Sequence, residues 1–336
     1  MKRLLTILLA ALAFISVKAQ DIHFSQFNAS PLTLNPALTG KLECTYRAAI
    51  NYRNQWNAVP APYVTYSAAF DAALFREKFN GSSLGVGVLG FNDRSGDGNL
   101  TNTTLGLSLA YHQRVGESSF LSAGFQGAFV NSSVDMVNLV FPNQIGPNGV
   151  IAGSVSGEAY EPVQYADLNL GMHWSTVLDG FSFNLGGAYY HALEPNTSLL
   201  QEEVFLPPRL VVHGGFTTEL GDYYSLSPSV LFMQQGPAQQ INAGASFGYH
   251  TDESALYFGL WHRYAGAIGD DATPGNSDAI IALVGVEFSS LLLGFSYDIT
   301  ISDAAQANQS RGGFELSLSY NGCIEAKKRV NQCPKF

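Results

Sequence analysis

The sequence predicts an all-β fold: a transmembrane outer-membrane β-barrel of about 14 antiparallel strands, with short periplasmic turns and longer extracellular loops. Three observations predict it. The chain begins with an export leader, its composition combines few charges with many aromatic residues and glycines, and its side chains alternate between apolar and polar along segments of roughly ten residues.

The leader occupies residues 1–19. Lys2 and Arg3 precede a short apolar stretch, and Val17-Lys18-Ala19 then provides small residues where a signal peptidase cleaves. We therefore expect cleavage after Ala19. The apolar stretch is shorter than the roughly 20 residues that a membrane-spanning helix needs, so it is a leader and not an anchor.

The composition is unusual for a water-soluble enzyme. Charged residues make up 13% of the chain, whereas Gly (34), Phe (22) and Tyr (16) are abundant. Three of the 17 basic residues belong to the leader, which leaves 14 basic against 27 acidic side chains and a formal charge near −13. A chain this acidic cannot neutralise phosphates, so we expect no nucleic-acid partner.

Period-two alternation identifies the strands. In residues 105–111 the odd-numbered side chains are Leu, Leu, Leu and Tyr, while the even-numbered ones are small or polar, and residues 168–175 and 314–320 repeat the pattern. One face suits acyl chains and the other a polar lumen. Fourteen such segments lie near 45–55, 63–75, 82–92, 101–115, 119–131, 165–177, 181–191, 209–219, 224–235, 239–249, 254–264, 278–288, 291–301 and 312–320.

The connections between these segments alternate in length. Short turns such as 116–118, 179–180, 221–222 and 289–290 follow every second strand, and longer connections near 93–100, 132–164, 192–208, 265–277 and 302–311 lie between them. Outer-membrane barrels place short turns in the periplasm and long loops outside. With an even number of strands, both ends of the chain are then expected in the periplasm.

Two segments flank the predicted barrel of residues 45–321. Residues 20–44 have no clean period and contain two prolines, so they either line the lumen or lie beneath it. Residues 322–336 form a basic tail, with Lys327, Lys328 and Arg329 at its centre, which we expect in the periplasm. Its charges suit weak, salt-dependent attraction to an acidic partner.

The three cysteines allow two pairings in an oxidising compartment. A local Cys323–Cys333 bridge would close a loop in the basic tail, and a Cys44–Cys323 bridge would join the first and last strands. Spacing alone does not decide between them, and we favour Cys323–Cys333.

We predict no catalytic centre, no metal and no cofactor. His112 and His173 alternate with the apolar face, so we expect them to be hydrogen-bonded in the lumen and not part of a Ser–His hydrolase site. Residues 93–99 are similar to a calcium loop but lack the Glu that such a loop needs at its twelfth position.

The residues after the leader carry a recognisable pattern. Gln20-Asp21-Ile22-His23-Phe24-Ser25-Gln26-Phe27 is followed by Asn35-Pro36-Ala37 and Gly40, and then by Asn51-Tyr52-Arg53-Asn54-Gln55-Trp56. Together with the tail, which ends in Cys333-Pro334-Lys335-Phe336, this pattern resembles the PorP/SprF family of type IX secretion membrane proteins. The resemblance spans essentially the whole chain after the leader.

The resemblance implies a non-enzymatic outer-membrane component of the type IX secretion and gliding machinery. Its implied partners are membrane lipid, the translocon or the periplasmic ring, and the C-terminal domain of an exported adhesin facing loops 132–164 and 192–208. The motif residues have either a scaffold role, with Asn35 capping a tight turn and Gly40 permitting positive φ, or a partner-binding role. The candidates for binding are Ser25, Gln26, Asn35, Pro36, Trp56, Lys327, Lys328 and Arg329. The alternative function is a transport pore for small or hydrophobic solutes, with residues 21–43 as its gate.

Overall fold

The computed structural model describes residues 21–56, 62–79, 81–96, 98–135, 139, 144–146, 149–150, 160–200, 202–267 and 275–323. Fourteen strands form the wall. They are β1 (Tyr46–Gln55), β2 (Tyr63–Phe79), β3 (Ser82–Ser95), β4 (Leu100–Arg114), β5 (Ser119–Ser133), β6 (Val163–Leu178), β7 (Phe181–Tyr190), β8 (Arg209–Leu220), β9 (Tyr224–Gln235), β10 (Ala238–His250), β11 (Ser254–Ala267), β12 (Asn276–Phe288), β13 (Leu291–Thr300) and β14 (Arg311–Gly322).

The strands close into one antiparallel barrel, so the predicted fold is confirmed. At the seam between β1 and β14, Tyr46 lies opposite Gly322 and Gln55 lies opposite Gly313. β1 is also paired with β2 along its whole length. Closure matters because backbone amides find no water in a bilayer, and an open sheet edge would leave them unpaired.

The connections define two ends of the barrel. Residues 80–81, 115–118, 179–180, 221–223, 251–253 and 289–290 connect strands at what we call the short-turn end. Residues 56–62, 96–99, 134–162, 191–208, 236–237, 268–275 and 301–310 connect strands at the long-loop end. The tight turn at 236–237 departs from the predicted alternation of lengths. In the longest connection, Ile145–Gly146 pairs with Gly149–Val150.

Side chains alternate between the outer surface and the lumen as predicted. On β4, Leu105 and Leu107 are 64% and 70% exposed, whereas Ser108 and Ala110 are 1% and 3% exposed. Such an exposed apolar band is the surface that acyl chains cover in an outer-membrane barrel. Among the described residues, no helix is long and apolar enough to cross a membrane.

The chain that precedes β1 fills the lumen. This lumenal segment, residues 21–45, contains the 3-10 turns Phe27–Ala29 and Pro36–Leu38 on either side of a one-turn helix, α1 (Pro31–Leu34). Another one-turn helix, α2 (Ala305–Asn308), lies in the last connection at the long-loop end. Prolines begin α1 and the second 3-10 turn, where a missing N–H costs nothing.

An apolar core joins the lumenal segment to one side of the wall. Phe27 and Leu34 belong to a buried cluster with side chains from β7, β8, β9, β11, β12 and β13. Val211, Leu231 and Ile281 of this cluster are at most 2% exposed. The lumen on this side is therefore packed as a protein core and not as a water channel.

The lumenal segment runs from one end of the barrel to the other. The Asp21 N–H donates to Gln235 Oε1 at the long-loop end of β9 (2.8 Å), while Cys44 lies at the short-turn end. Of the two positions considered for this segment, it occupies the lumen. The prediction that both ends of the chain lie on the short-turn side is wrong for Asp21, because an even strand count does not constrain a segment that passes through the barrel.

The disulfide joins Cys44 to Cys323, with their Cα atoms 4.5 Å apart. The favoured Cys323–Cys333 pairing is therefore corrected. Cys44 lies two residues before the start of β1 and Cys323 immediately follows β14, and closure makes these two strands neighbours. The bridge fixes the base of the lumenal segment at the seam. Cys333 lies outside the described residues.

Candidate functional site: the lumenal segment and its wall

Four residues assigned to partner binding lie inside the barrel. Ser25, Gln26, Asn35 and Pro36 are each at most 3% exposed, and their contacts are with the wall. Their buried position matches the alternative expectation that the motif residues have a scaffold role. A contact with another protein through them would first require the lumenal segment to leave the lumen.

The remaining candidates lie elsewhere. Trp56 follows β1 at the long-loop end, where its N–H donates to the Gly312 carbonyl (2.8 Å) and its ring meets Tyr63 edge-on, with centroids 5.4 Å apart. Lys327, Lys328 and Arg329 lie outside the described residues. Partner binding by any of these residues stays a prediction.

Glu315 of β14 holds the backbone of the lumenal segment. The N–H groups of Ser25 and Gln26 donate to its two carboxylate oxygens at 2.6 and 2.8 Å. The Gln26 side chain accepts from Ser317 Oγ (2.8 Å) and donates to the Glu315 carbonyl (3.2 Å). Charge-assisted bonds to backbone N–H groups are among the stronger hydrogen bonds in proteins, so this carboxylate is the main anchor of the segment's first half.

A buried charge cluster surrounds this anchor. Arg53 pairs with Glu315 and, at 3.3 Å, with Asp298; Arg263 pairs with Asp298 at 2.7 Å. Ser25 Oγ lies at its centre, where it donates to Asp298 (2.8 Å) and accepts from both arginines (2.8 and 3.1 Å). Charges removed from water cost several kcal/mol each unless they are paired. Removal of the segment would take away the Ser25 hydroxyl, which bonds to Asp298 and to both arginines.

Asn35 connects the segment to the opposite wall. Its Oδ1 accepts from the Ala37 N–H (2.9 Å) and so caps the second 3-10 turn. Its Nδ2 donates to the carbonyls of Met172 (2.9 Å) and Gly187 (3.2 Å), and meets His213 Nε2 at 3.1 Å. Capping by this Asn is the role that the sequence suggested for it, and the wall contacts are additional.

Glycines on the inner wall make room for the segment's backbone. We call Gly85, Gly124 and Gly171 the glycine track. A Cβ added to Gly124 would lie 2.5 Å from the Pro36 carbonyl oxygen, and one added to Gly85 or Gly171 would overlap Thr39 or Asn35. The segment and the wall therefore approach each other more closely than a Cβ atom at these wall positions would permit.

The segment leaves the lumen through polar contacts with β2 and β4. Thr39 Oγ1 meets Ser108 Oγ at 2.5 Å, and the Gly40 N–H donates to Asp71 at 2.7 Å. Asp71 also receives both a 3.0 and a 2.8 Å bond from Arg47. Gly40 has a φ of 69°, so the chain turns here at the residue where the sequence required positive φ.

His112 and His173 face the lumen, as expected; His112 is hydrogen-bonded there, whereas His173 Nδ1 has no hydrogen-bond partner among the described residues. His112 is 3% exposed; its Nδ1 meets Ser122 Oγ and its Nε2 meets the Thr39 carbonyl, both at 2.8 Å. His173 is also buried and stacks on His213. The Ser122–His112 pair has no carboxylate behind the imidazole, and Ser122 is fully buried.

At the long-loop end, Asp21 is fixed by two cations. Its carboxylate meets His191, just beyond β7, at 2.9 Å and Arg209 at 3.1 Å. Burial raises the pKa of Asp21, but Arg209 and His191 together hold it well below its ordinary value. Burial lowers the pKa of His191, but Asp21 and Asp167 raise it to about 9. Both partners are therefore charged at neutral pH.

Cavities lie at both ends of the barrel. One of about 70 Å³ lies between the segment and β3–β8, and its lining includes Asp93, Tyr165, Asp167 and Arg209. Another of about 430 Å³ lies at the short-turn end between the bases of β6–β10. The sequence did not predict the lumenal network. Its one signal was the presence of Arg53, Arg263, Asp298 and Glu315 at lumen-facing positions near one end of their strands.

Comparison with known proteins agrees with this architecture. Among solved structures, the Ralstonia pickettii toluene transporter TbuX superposes with a TM-score of 0.50 at 12% identity, covering 87% of this chain and 92% of that chain. A Pseudomonas aeruginosa FadL homologue gives a TM-score of 0.46 at 13% identity, with 85% and 92% covered. At 12% identity the likeness to TbuX concerns the fold alone. No curated protein sequence matches the chain significantly.

A family profile matches the chain itself. It is described as type IX secretion system membrane protein PorP/SprF, and it aligns with residues 16–320, which include the lumenal segment and nearly all of the barrel. The resemblance found in the motif residues is thereby confirmed. This chain belongs to the PorP/SprF family of type IX secretion system membrane proteins.

Proposed function

We propose that this protein is a non-enzymatic component of the type IX machinery that assists the export or surface anchoring of an adhesin with a C-terminal secretion signal. Family membership supports a role in secretion. The structural observation that carries the proposal is the occupied lumen. Because the barrel is filled by its own chain, it offers its two ends to partner proteins and does not offer a passage through its lumen.

The two ends take different partners in this proposal. The long-loop end, with connections 134–162 and 191–208, meets the exported adhesin outside the cell. The short-turn end, with the basic tail of residues 322–336, meets the translocon or the periplasmic ring. The disulfide at Cys323 ties the tail's origin to the barrel seam, which supports a fixed point of attachment.

The test is co-purification from the native outer membrane in mild detergent, followed by mass spectrometry. Recovery of type IX components or a large adhesin supports the proposal. A variant that lacks residues 324–336 keeps Cys323, and it should still fold but recover less of the periplasmic partners. Recovery of the folded barrel alone, in good yield, would count against a secretion role.

A solute pore is the second candidate function, with the lumenal segment as its gate. The observation that favours it is that a cavity lies at each end of the barrel. Planar-bilayer recordings separate the candidates. A secretion component stays closed, whereas a gated pore opens under conditions that leave the barrel folded and shows saturation by its solute.

A further inference from the structure

The cavity at the long-loop end contains an unsatisfied carboxylate. Asp167 is 5% exposed; its Oδ2 pairs with His191 at 2.9 Å, while its Oδ1 has no hydrogen-bond partner among the described residues. Arg209 Nε lines the same cavity and is likewise unpaired there. A buried carboxylate oxygen without a donor is unfavourable, so this cavity suits a ligand that brings a cationic donor together with a carbonyl acceptor.

The charges around the cavity favour a cation. Asp21, Asp93 and Asp167 line it, against His191 and Arg209. Both cations already pair with Asp21. Asp93 and Tyr165 lie within a few residues of the long-loop ends of β3 and β6, so the cavity is approached from that end.

An apolar platform lies in the connection that joins His191 to Arg209, two residues that line the cavity. In the connection between β7 and β8, four apolar side chains (Leu193, Leu200, Val204 and Phe205) are 44–57% exposed. The connection is internally bonded: the Thr197 N–H donates to the Val204 carbonyl (2.8 Å), and the Leu206 N–H donates to the Pro195 carbonyl (2.9 Å). These side chains lie beyond the strands that cross the membrane. An exposed apolar group held by an ordered loop marks an interaction surface.

The connections at the long-loop end are acidic, while the exposed Arg94 and Arg311 lie at the adjoining ends of β3 and β14. The seven connections contain ten Asp and Glu residues and no Lys or Arg; three of the ten, Glu194, Glu202 and Glu203, belong to the platform's own loop. Such a surface repels phosphate-bearing lipids, polysaccharides and nucleic acids, and it attracts basic protein segments.

We infer that the long-loop end binds a basic, apolar segment of the exported protein, with one Arg or Lys side chain entering the cavity at Asp167. Its apolar residues pack on the platform of Leu193, Leu200, Val204 and Phe205. The side-chain cation donates to Asp167 Oδ1, and a carbonyl of the segment accepts from Arg209 Nε. This inference rests on the proposed function and specifies the chemistry of its outer partner.

The first test uses a defined probe and the full-length protein in nanodiscs. The probe is acetyl-Leu-Arg-Leu-Phe-amide, and its control carries citrulline, which is neutral, in place of Arg. We expect saturable binding that is at least tenfold weaker for the citrulline peptide and weaker in high salt. Equal binding of the two peptides would overturn the inference. So would no detectable binding of either peptide, which would leave the cavity to water alone.

Variants locate the site. Asp167→Asn and, separately, Asp93→Asn should each weaken binding of the Arg peptide about tenfold, with the barrel shown to be folded by its heat-dependent gel mobility. Asp93 accepts a hydrogen bond from Thr65 Oγ1 (2.6 Å), whereas the ion pairs of Asp21 are with His191 and Arg209. Asp93→Asn therefore changes the charge of the cavity and leaves those ion pairs in place. Asp252→Asn, exposed at the short-turn end, is the matched control and should bind normally.

A cellular test separates this inference from the proposed function. If deletion of the protein abolishes adhesin display, but Asp167→Asn and the double variant Leu200→Ser with Phe205→Ser display it normally, the docking surface is wrong and the secretion role stands. If the deletion strain displays the adhesin normally, the proposed function itself fails. Loss of display in both the deletion strain and the folded variants supports both.

Discussion

Alanine at position 124 should loosen the middle of the lumenal segment and leave the wall intact. The new Cβ would lie 2.5 Å from the carbonyl carbon and oxygen of Pro36 and 2.6 Å from the Ala37 nitrogen. Non-bonded heavy atoms rest at about 3.5–4.0 Å, so the segment must move by about 1 Å. Both partners in this contact are backbone, and neither can rotate away.

The magnitude follows from the bonds that such a shift breaks. Asn35 Nδ2 lies 2.9 and 3.2 Å from the carbonyls of Met172 and Gly187, and a movement of about 1 Å takes both beyond hydrogen-bonding range. Each bond contributes about 1 kcal/mol. With residual crowding of about 1 kcal/mol, the low end for an overpacked site, docking of the segment weakens by about 3 kcal/mol. The detached state then becomes about 100-fold more populated.

Hydrogen exchange measured by mass spectrometry on peptides from residues 24–39 gives this change directly, since protection reports the free energy of local opening. Gly127→Ala is the matched control: Gly127 lies on the same strand, and an added Cβ there has no neighbour within 4 Å. We expect about 100-fold lower protection in Gly124→Ala and wild-type protection in Gly127→Ala. Equal protection in the two variants, or an equal loss of protection throughout β5, would refute the reasoning.

Three further predictions concern the ends and the anchor of the segment. Glu315→Gln keeps the shape of the side chain but places an amide N–H₂ against existing donors, so docking of the lumenal segment should weaken by about 3 kcal/mol. Planar-bilayer recordings of this variant should then show brief conductance openings, whereas the control variant Glu219→Gln should stay closed. Non-reducing digestion should yield a peptide pair linking Cys44 to Cys323, and a link from Cys323 to Cys333 would contradict the structure. The pKa of His191 is raised to about 9, so its stabilisation of Asp21 is complete below about pH 6.5 and is lost as pH rises through 9. Protection of residues 22–24 should therefore fall between pH 7 and 10 in the wild type and remain flat in Asp21→Asn.

The alternation of apolar and polar side chains along the strands could be predicted from the sequence, because contact with lipid restricts each outward-facing position independently of the others. An outward Asn or Ser would be costly beside acyl chains, so residues such as Leu105 and Leu107 leave a periodic signal. The strand count and the short turns follow from that signal. Strand ends are less constrained, and β2 accordingly runs to Phe79, beyond the residue 75 predicted as its end.

The lumenal network could not be read in the same way. Its contacts join residues far apart in the chain, such as Ser25 with Asp298, and no period links them. Asn35 and Gly40 were identified as turn residues, which local chemistry dictates. Their neighbours on the wall depend on barrel closure, and so does the choice of Cys44 as the partner of Cys323.

The enclosed segment constrains the order in which the barrel can assemble. Its contacts reach from Asp71 on β2 to Ser317 on β14, the latter across 291 positions of sequence. A peptide this intimately surrounded cannot be inserted sideways once the last strand has met the first. The lumenal segment must therefore be enclosed while the sheet is still open. The later strands then pair around it, so that it templates the closure of the barrel. Substitutions in it should then appear first as a shortage of assembled barrel in the membrane, before any defect in the work that the finished barrel does.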